Sequence, residues 1–253
     1  MLEAFIPAQL FAFFMVVLRI GAALMQFPGI GDAYVNPRAR MSLALLVAFV
    51  VTPVVQDTLP PRPVEPASLV VLALAEIFIG LLLGTAARMI LAALMIAGMI
   101  MAFMSTLSNA LVNTPSAQQQ GSVVGAFLGT VGVLIIFASG AHEMLLHGMV
   151  QSYSVFPPGE PLPMNDIANF VARLMADVFK LGFQVSMPFL VVGTIFYLGV
   201  GLINRLMPQV QIFFVAIPIQ VGKGLVLLLV GMPIIMQWFI QNYFELYRPL
   251  LNL

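Results

Sequence analysis

The chain has 253 residues, of which 61% are hydrophobic and 8% charged, and its ten Lys or Arg balance its ten Asp or Glu. A soluble domain carries about 25% charged residues, so this chain cannot cover a water-facing surface and reads as an integral membrane protein. The lack of a basic surface excludes nucleic-acid binding as its main activity, and the lack of cysteine excludes a disulfide framework or a thiolate metal site.

A spanning helix needs about 20 apolar residues. Charge-free gaps of 54 residues (Arg88 to Glu143), 24 residues (Lys180 to Arg205) and 21 residues (Lys223 to Glu245) leave room for such helices. With two apolar runs near the N-terminus, they predict an all-α, polytopic membrane protein of about six apolar segments.

The first segment runs from Phe5 to Phe27. It opens on Glu3, not on a basic cluster, and holds Arg19, so it does not read as a cleaved signal peptide. A loop, Pro28 to Arg40, carries Asp32, Pro37 and Arg38. The second segment, Met41 to Val55, is short and interrupted by Pro53. The connector Gln56 to Pro66 holds Pro60, Pro61 and Pro63 and should be stiff and extended. The third segment, Leu69 to Met104, overshoots a bilayer unless tilted or broken, and carries Glu76 and Arg88. A polar, uncharged connector spans Ser105 to Ser122.

The fourth segment runs from Val123 to Ala141, followed by an amphipathic stretch that ends at Pro157, Pro158, Pro161 and Pro163. The fifth, Ile167 to Ile203, contains Arg173, Asp177, Lys180 and Pro188. After a turn with Arg205 and Pro208, the sixth runs from Val210 to Tyr243, broken at Pro218 and Pro233. Broken helices at membrane depth are tolerated only when buried in protein or lining a cavity. A subunit of a larger assembly is therefore expected; the alternative is ordinary proline kinks in a monomeric bundle. Arg38, Arg40 and Arg205 fall on odd-numbered loops, which by the positive-inside rule puts the N-terminus outside.

His142, Glu143 and His147 resemble a zinc-protease helix but fail on spacing. Histidines five apart lie about 140° apart around a helix and cannot share a metal as an i, i+4 pair does. No phosphate loop, nucleophile elbow or Ser/His/Asp set stands out, so no enzyme, metal or cofactor is expected. Gly80 and Gly84, and Gly121, Gly125 and Gly129, have the spacing that lets helix backbones approach closely.

Arg19, Glu76, Arg88, Asp177 and Lys180 are ionisable groups inside apolar segments, where such groups are paired or functional. Structural pairing is the preferred reading over a proton or ion relay. Glu76 and Arg88 stand about 120° apart on one helix, so each should pair elsewhere or lie outside the lipid region altogether. Met95, Met99, Met101 and Met104 crowd the end of the third segment. Being flexible, they suit either ordinary packing or a deformable seal near a pore.

One family unites these features. Arg19 and Gly21, Pro28, Pro37, Arg40 and Pro53 open the pattern. Glu76, Gly80, Gly84 and Gly98 follow, then Phe137, Gly140, His142, Ser152, Tyr153 and Pro157. Pro188, Gly199, Arg205, Leu206, Met207, Pro208, Gln209, Phe213 and Pro218 close it. In order and spacing this resembles the FliR family, flagellar biosynthetic membrane proteins of the type III export gate, with relatives in injectisomes.

The resemblance implies one membrane domain over residues 1–253. It implies tilted, broken helical hairpins in a hetero-oligomeric gate with FliP and FliQ. Other export-apparatus membrane proteins would be neighbours, and unfolded export substrates would pass transiently. The location implied is the bacterial inner membrane at the flagellar basal body. It further implies that a loop here, Thr106 to Gln120, plugs the closed pore: Thr106, Leu107, Ser108, Asn109, Asn113, Thr114, Pro115, Gln118, Gln119 and Gln120. Thr114 precedes Pro115 where the family often has an acidic residue, which leaves this loop without a charge.

An uncharged plug suits a pore that must hold no passing sequence strongly, and Ser, Asn and Gln move without stripping a charge. The competing reading is a small-molecule secondary transporter of the inner membrane. Such transporters pair broken helices in two related halves, and no such pairing is visible here.

Overall fold

The computed structural model describes residues 2–107, 122–207 and 212–252. These residues contain no strand and form seven α-helices. The helices are α1 (Leu2–Gln26), α2 (Pro37–Val55), α3 (Pro66–Met104), α4 (Val123–Ala138), α5 (Ala141–Val155), α6 (Met164–Leu206) and α7 (Ile212–Tyr247). Short 3₁₀ turns follow α2 at Gln56–Thr58 and α7 at Arg248–Asn252. Five helices are long and apolar enough to cross a membrane, or six if the bent pair of α4 and α5 counts as one span. The protein is thus an all-α polytopic membrane protein with the segment number its composition predicts.

The second segment is longer than the sequence suggests. It starts at Pro37 because the Asn36 side chain accepts the Arg38 backbone N–H at 2.9 Å and proline suits a first helical position. That first turn brings α2 to 19 residues, close to a full span.

The prolines do not break their helices, contrary to the sequence expectation. α2 continues through Pro53, α6 runs 43 residues through Pro188, and α7 runs 36 residues through Pro218 and Pro233. Each proline removes one N–H and crowds one carbonyl. Leaving the helix in an apolar medium would orphan many more backbone groups, so the helix carries on. The sharp break falls instead between α4 and α5, which meet at 74°. There Gly140 takes a left-handed φ of +76°, a conformation open to glycine.

The chain forms two compact units. The first comprises Met1–Ile90, Phe137–Leu174 and Phe244–Leu253, and the second Leu91–Ile136 and Met175–Tyr243. The core of the first includes Met15, Ile20 and Leu24 of α1, Ile79 and Leu83 of α3, Leu145 and Met149 of α5, and Tyr247. That of the second includes Leu94 and Met101 of α3, Leu128 of α4, Val185 and Phe189 of α6, and Phe239 of α7. Outside the cores, α6 and α7 expose Ile195, Leu198, Phe214, Leu229 and Ile234, faces suited to lipid or other subunits.

Candidate functional site

Two constructions stand out: a buried charge node in the first unit and the roots of the polar connector in the second. The node centres on Arg19, which is wholly buried, as is Glu76. Arg19 Nε donates to Glu76 Oε2 at 2.7 Å and Nη2 to Oε1 at 2.8 Å. Nη1 donates to the Ser152 carbonyl at 3.0 Å and to Ser152 Oγ at 3.2 Å, and Nη2 also donates to the Phe156 carbonyl at 3.0 Å. All five guanidinium N–H groups therefore have acceptors, the condition under which a buried ion pair holds. The Tyr153 ring lies 4.0 Å from the guanidinium carbon and adds a cation–π contact.

Two of those acceptors are carbonyls at the C-terminal end of α5, where a cation complements the helix dipole; the Ser152 carbonyl also accepts the Phe156 N–H at 2.9 Å. Arg19 thereby ties α1, α3 and the end of α5 together. Its neighbourhood depends on the glycine pair of α3. A Cβ on Gly80 would strike the Arg19 carbonyl and the Ala22 side chain, and one on Gly84 the Ala23 carbonyl and Gln26. The GxxxG spacing thus serves close contact with α1 inside this chain. Gly21, by contrast, has open space around it.

Arg88 pairs with Asp32 at the loop after α1 and also donates to Gln26 at 3.1 Å. Asp32 accepts the Gly29 N–H at 2.9 Å and the Tyr34 hydroxyl at 3.1 Å. Partial burial, then the Asp32 carboxylate, push the Tyr34 phenol above its ordinary range. Arg40 closes the loop by donating to the Asp32 carbonyl at 2.8 Å. Pro28 is buried here and Pro37 exposed. Both ionisable residues of α3 pair off their own helix, as the sequence predicts. Asp177 and Lys180 are exposed on α6 with no ion pair among the described residues.

The His142 ring stacks on Phe137 at 5.1 Å, whereas His147 is exposed. No group of acidic or histidine side chains among the described residues could hold a metal.

Of the connector residues, Thr106 and Leu107 are described; Ser108, Asn109, Asn113, Thr114, Pro115, Gln118, Gln119 and Gln120 lie outside the described residues, as do Pro208 and Gln209. Both roots of the connector are held inside the second unit. On the α4 side, Ser122 Oγ donates to the Gly98 carbonyl at 3.1 Å and accepts the Gly125 N–H at 3.3 Å, capping α4. Gly98 and Gly125 pack backbone on backbone, so that a Cβ at 98 would collide with the Gly125 Cα.

On the α3 side, Gln220 of α7 donates its Nε2 N–H to the Met104 carbonyl at 2.9 Å. Gly224 leaves room for Ser105, which is buried. Thr106 then takes φ +57°, a strained left-handed conformation for a β-branched residue, as the chain leaves α3.

The four methionines do not share one face. Met95 and Met99 are exposed, Met104 is half-buried, and Met101 is fully buried in the core. Pro188, Arg205 and Pro218 are exposed. Sequence reasoning missed Ser122, Gln220, Gly224 and Gly193, the last packing on the Met104 side chain. A Gln or Gly inside an apolar helix carries no spacing signal; Gln220 as a polar residue in an otherwise apolar run was the one available hint.

Comparison with known proteins sets these constructions in context. The pattern of the bacterial export proteins, family 1, matches residues 10–246. The flagellar biosynthetic protein FliR of Caulobacter vibrioides is 36% identical over 97% of this chain and 98% of its own length. The FliR of Bacillus subtilis is 30% identical over 93% of this chain and 91% of its own. The secretion system apparatus protein SsaT of Salmonella typhimurium is 25% identical over 64% of this chain and 63% of its own. With most of its length matched in sequence and its helices suited to a membrane, the chain belongs to the bacterial export proteins, family 1, the family of flagellar FliR.

Proposed function

We propose that this chain is the FliR-type subunit of a flagellar type III export gate, a structural and gating part of the channel for unfolded flagellar proteins. Its partners are FliP and FliQ, and its place is the bacterial inner membrane at the flagellar basal body. It performs no catalysis: it shapes and closes a path. The observation that carries the gating role is the anchorage of the polar connector. Residues 107–121 contain no Asp, Glu, Lys or Arg, and the helix ends on either side are clamped by Gln220 to Met104 and by Ser122 to Gly98.

An uncharged segment between rigid roots can fill a narrow passage without binding its cargo strongly, and can be displaced without breaking an ion pair. Deleting residues 106–120 from the assembled gate should make it leak ions across the membrane. A gate that assembles with the deletion and still holds an ion gradient would sink the plug assignment.

A further inference from the structure

Lys223 is the sole charged residue from Ile212 to Phe244, the first 33 residues of α7. It lies 11 residues in from the helix start, about 16 Å along the axis. Its Nζ is buried and has no hydrogen-bond partner among the described residues. The Phe196 ring of α6, 4.3 Å away, offers only its π face.

No carboxylate of the same unit can reach it. Within residues 91–136 and 175–243 the one acidic side chain is Asp177. Asp177 precedes Phe196 by 19 residues on one continuous helix, about 28 Å along the axis. Glu245, on α7 itself, is 22 residues away, about 33 Å. Segments 108–121 and 208–211 contain no Asp or Glu at all.

The surface around Lys223 is open to a neighbour. Gly222 beside it, and Gly199 three residues after Phe196, have no atom within 4 Å of where a Cβ would stand. Ile219 and Val226, on the same side of α7 as Lys223, are exposed, as are Ile195 and Leu198 of α6. Open glycines let a second helix backbone come close. In an apolar surround an ammonium gains most from an opposite charge, and the apolar side chains on this face supply none.

We infer that this face of α6 and α7 docks a helix of a neighbouring membrane subunit that carries a buried Asp or Glu, and that the flexible Lys223 side chain turns outward to pair with its carboxylate. The inference rests on the proposed role in a hetero-oligomeric gate and adds the chemistry of one contact.

The test is recovery of full-length variants, co-expressed with FliP and FliQ, in the native-sized complex after detergent extraction. Lys223→Glu should lower recovery at least tenfold, Lys223→Met less, and Lys223→Arg little. Selection for restored assembly of Lys223→Glu should return changes of one Asp or Glu to Lys or a neutral residue in an apolar helix of another subunit. Circular dichroism of each isolated variant, matching wild type, separates lost docking from lost folding; for a variant that misfolds, the suppressor selection decides.

Wild-type recovery of both Lys223→Glu and Lys223→Met overturns the inference. So does a defect that tracks the anionic lipid content of the membrane and has no suppressor in another subunit, which assigns Lys223 to a lipid phosphate. If the wild-type chain itself joins no complex, the proposed function falls, and this contact with it.

Discussion

Arg19 and Glu76 meet through two near-parallel hydrogen bonds of 2.7 and 2.8 Å, 57 positions apart in sequence and both sealed from solvent. Removing one partner strands the other charge. Arg19→Met should therefore cost about 3–5 kcal/mol, in the range for broken buried pairs. Arg19→Lys should also be poor, because an ammonium cannot serve the carboxylate and the α5 carbonyls in that planar geometry. Arg19→Met combined with Glu76→Leu should lose less than Arg19→Met alone. It should not reach wild type, since the Phe156 carbonyl and the Ser152 hydroxyl oxygen lose the Arg19 donor. Unfolding midpoints of the four proteins in one detergent check this; equal losses for the single and double variants would refute the pairing energetics.

The glycines of α1 and α3 should respond in opposite directions. Gly80→Ala places a methyl into the Arg19 backbone carbonyl, which forces α1 and α3 apart. Overpacking of this kind costs about 1–3 kcal/mol. Gly21→Ala meets open space, and alanine is the better helix former by about 0.5–1 kcal/mol. Thermal stability in detergent should fall for the first and hold or rise for the second.

The roots of the connector should control leakage before they control folding. Gln220→Leu leaves the Met104 carbonyl without its donor, at about 1–3 kcal/mol. Ser122→Ala removes both the α4 cap and the bond to Gly98, at about 1 kcal/mol. In the assembled gate each should raise resting ion conductance while leaving the complex intact by native mass. Unchanged conductance in both would mean that the roots do not govern closure.

Arg88 and Asp32 form the weaker ion pair, with side chains 42% and 22% exposed. Asp32→Asn should cost no more than about 1 kcal/mol, and the difference from wild type should shrink as salt rises. A loss matching that of Arg19→Met would show that the loop after α1 matters more than its exposure indicates. Melts at low and high salt give the comparison.

Composition alone settled the solvent: with 8% charged residues, the chain can satisfy its surface only in lipid or against other apolar chains. Charge-free gaps then set the number of helical segments, because hydrocarbon thickness fixes how many apolar residues a span requires. The sequence also marked Arg19, Glu76, Arg88, Gly80 and Gly84, since a charge or a paired glycine in an apolar helix is costly without a purpose.

Tertiary structure alone decided whom they meet. Arg19 finds Glu76 and the end of α5, and Gly98 finds Gly125, because helix packing sets such contacts and sequence distance does not. It also decided the fate of the prolines, which looked like breaks but lie in continuous helices, while the true bend fell at Gly140. A local rule counts the one hydrogen bond that a proline removes. In an apolar surround the fold must also count every bond that leaving the helix would lose, and that larger sum kept α6 and α7 whole.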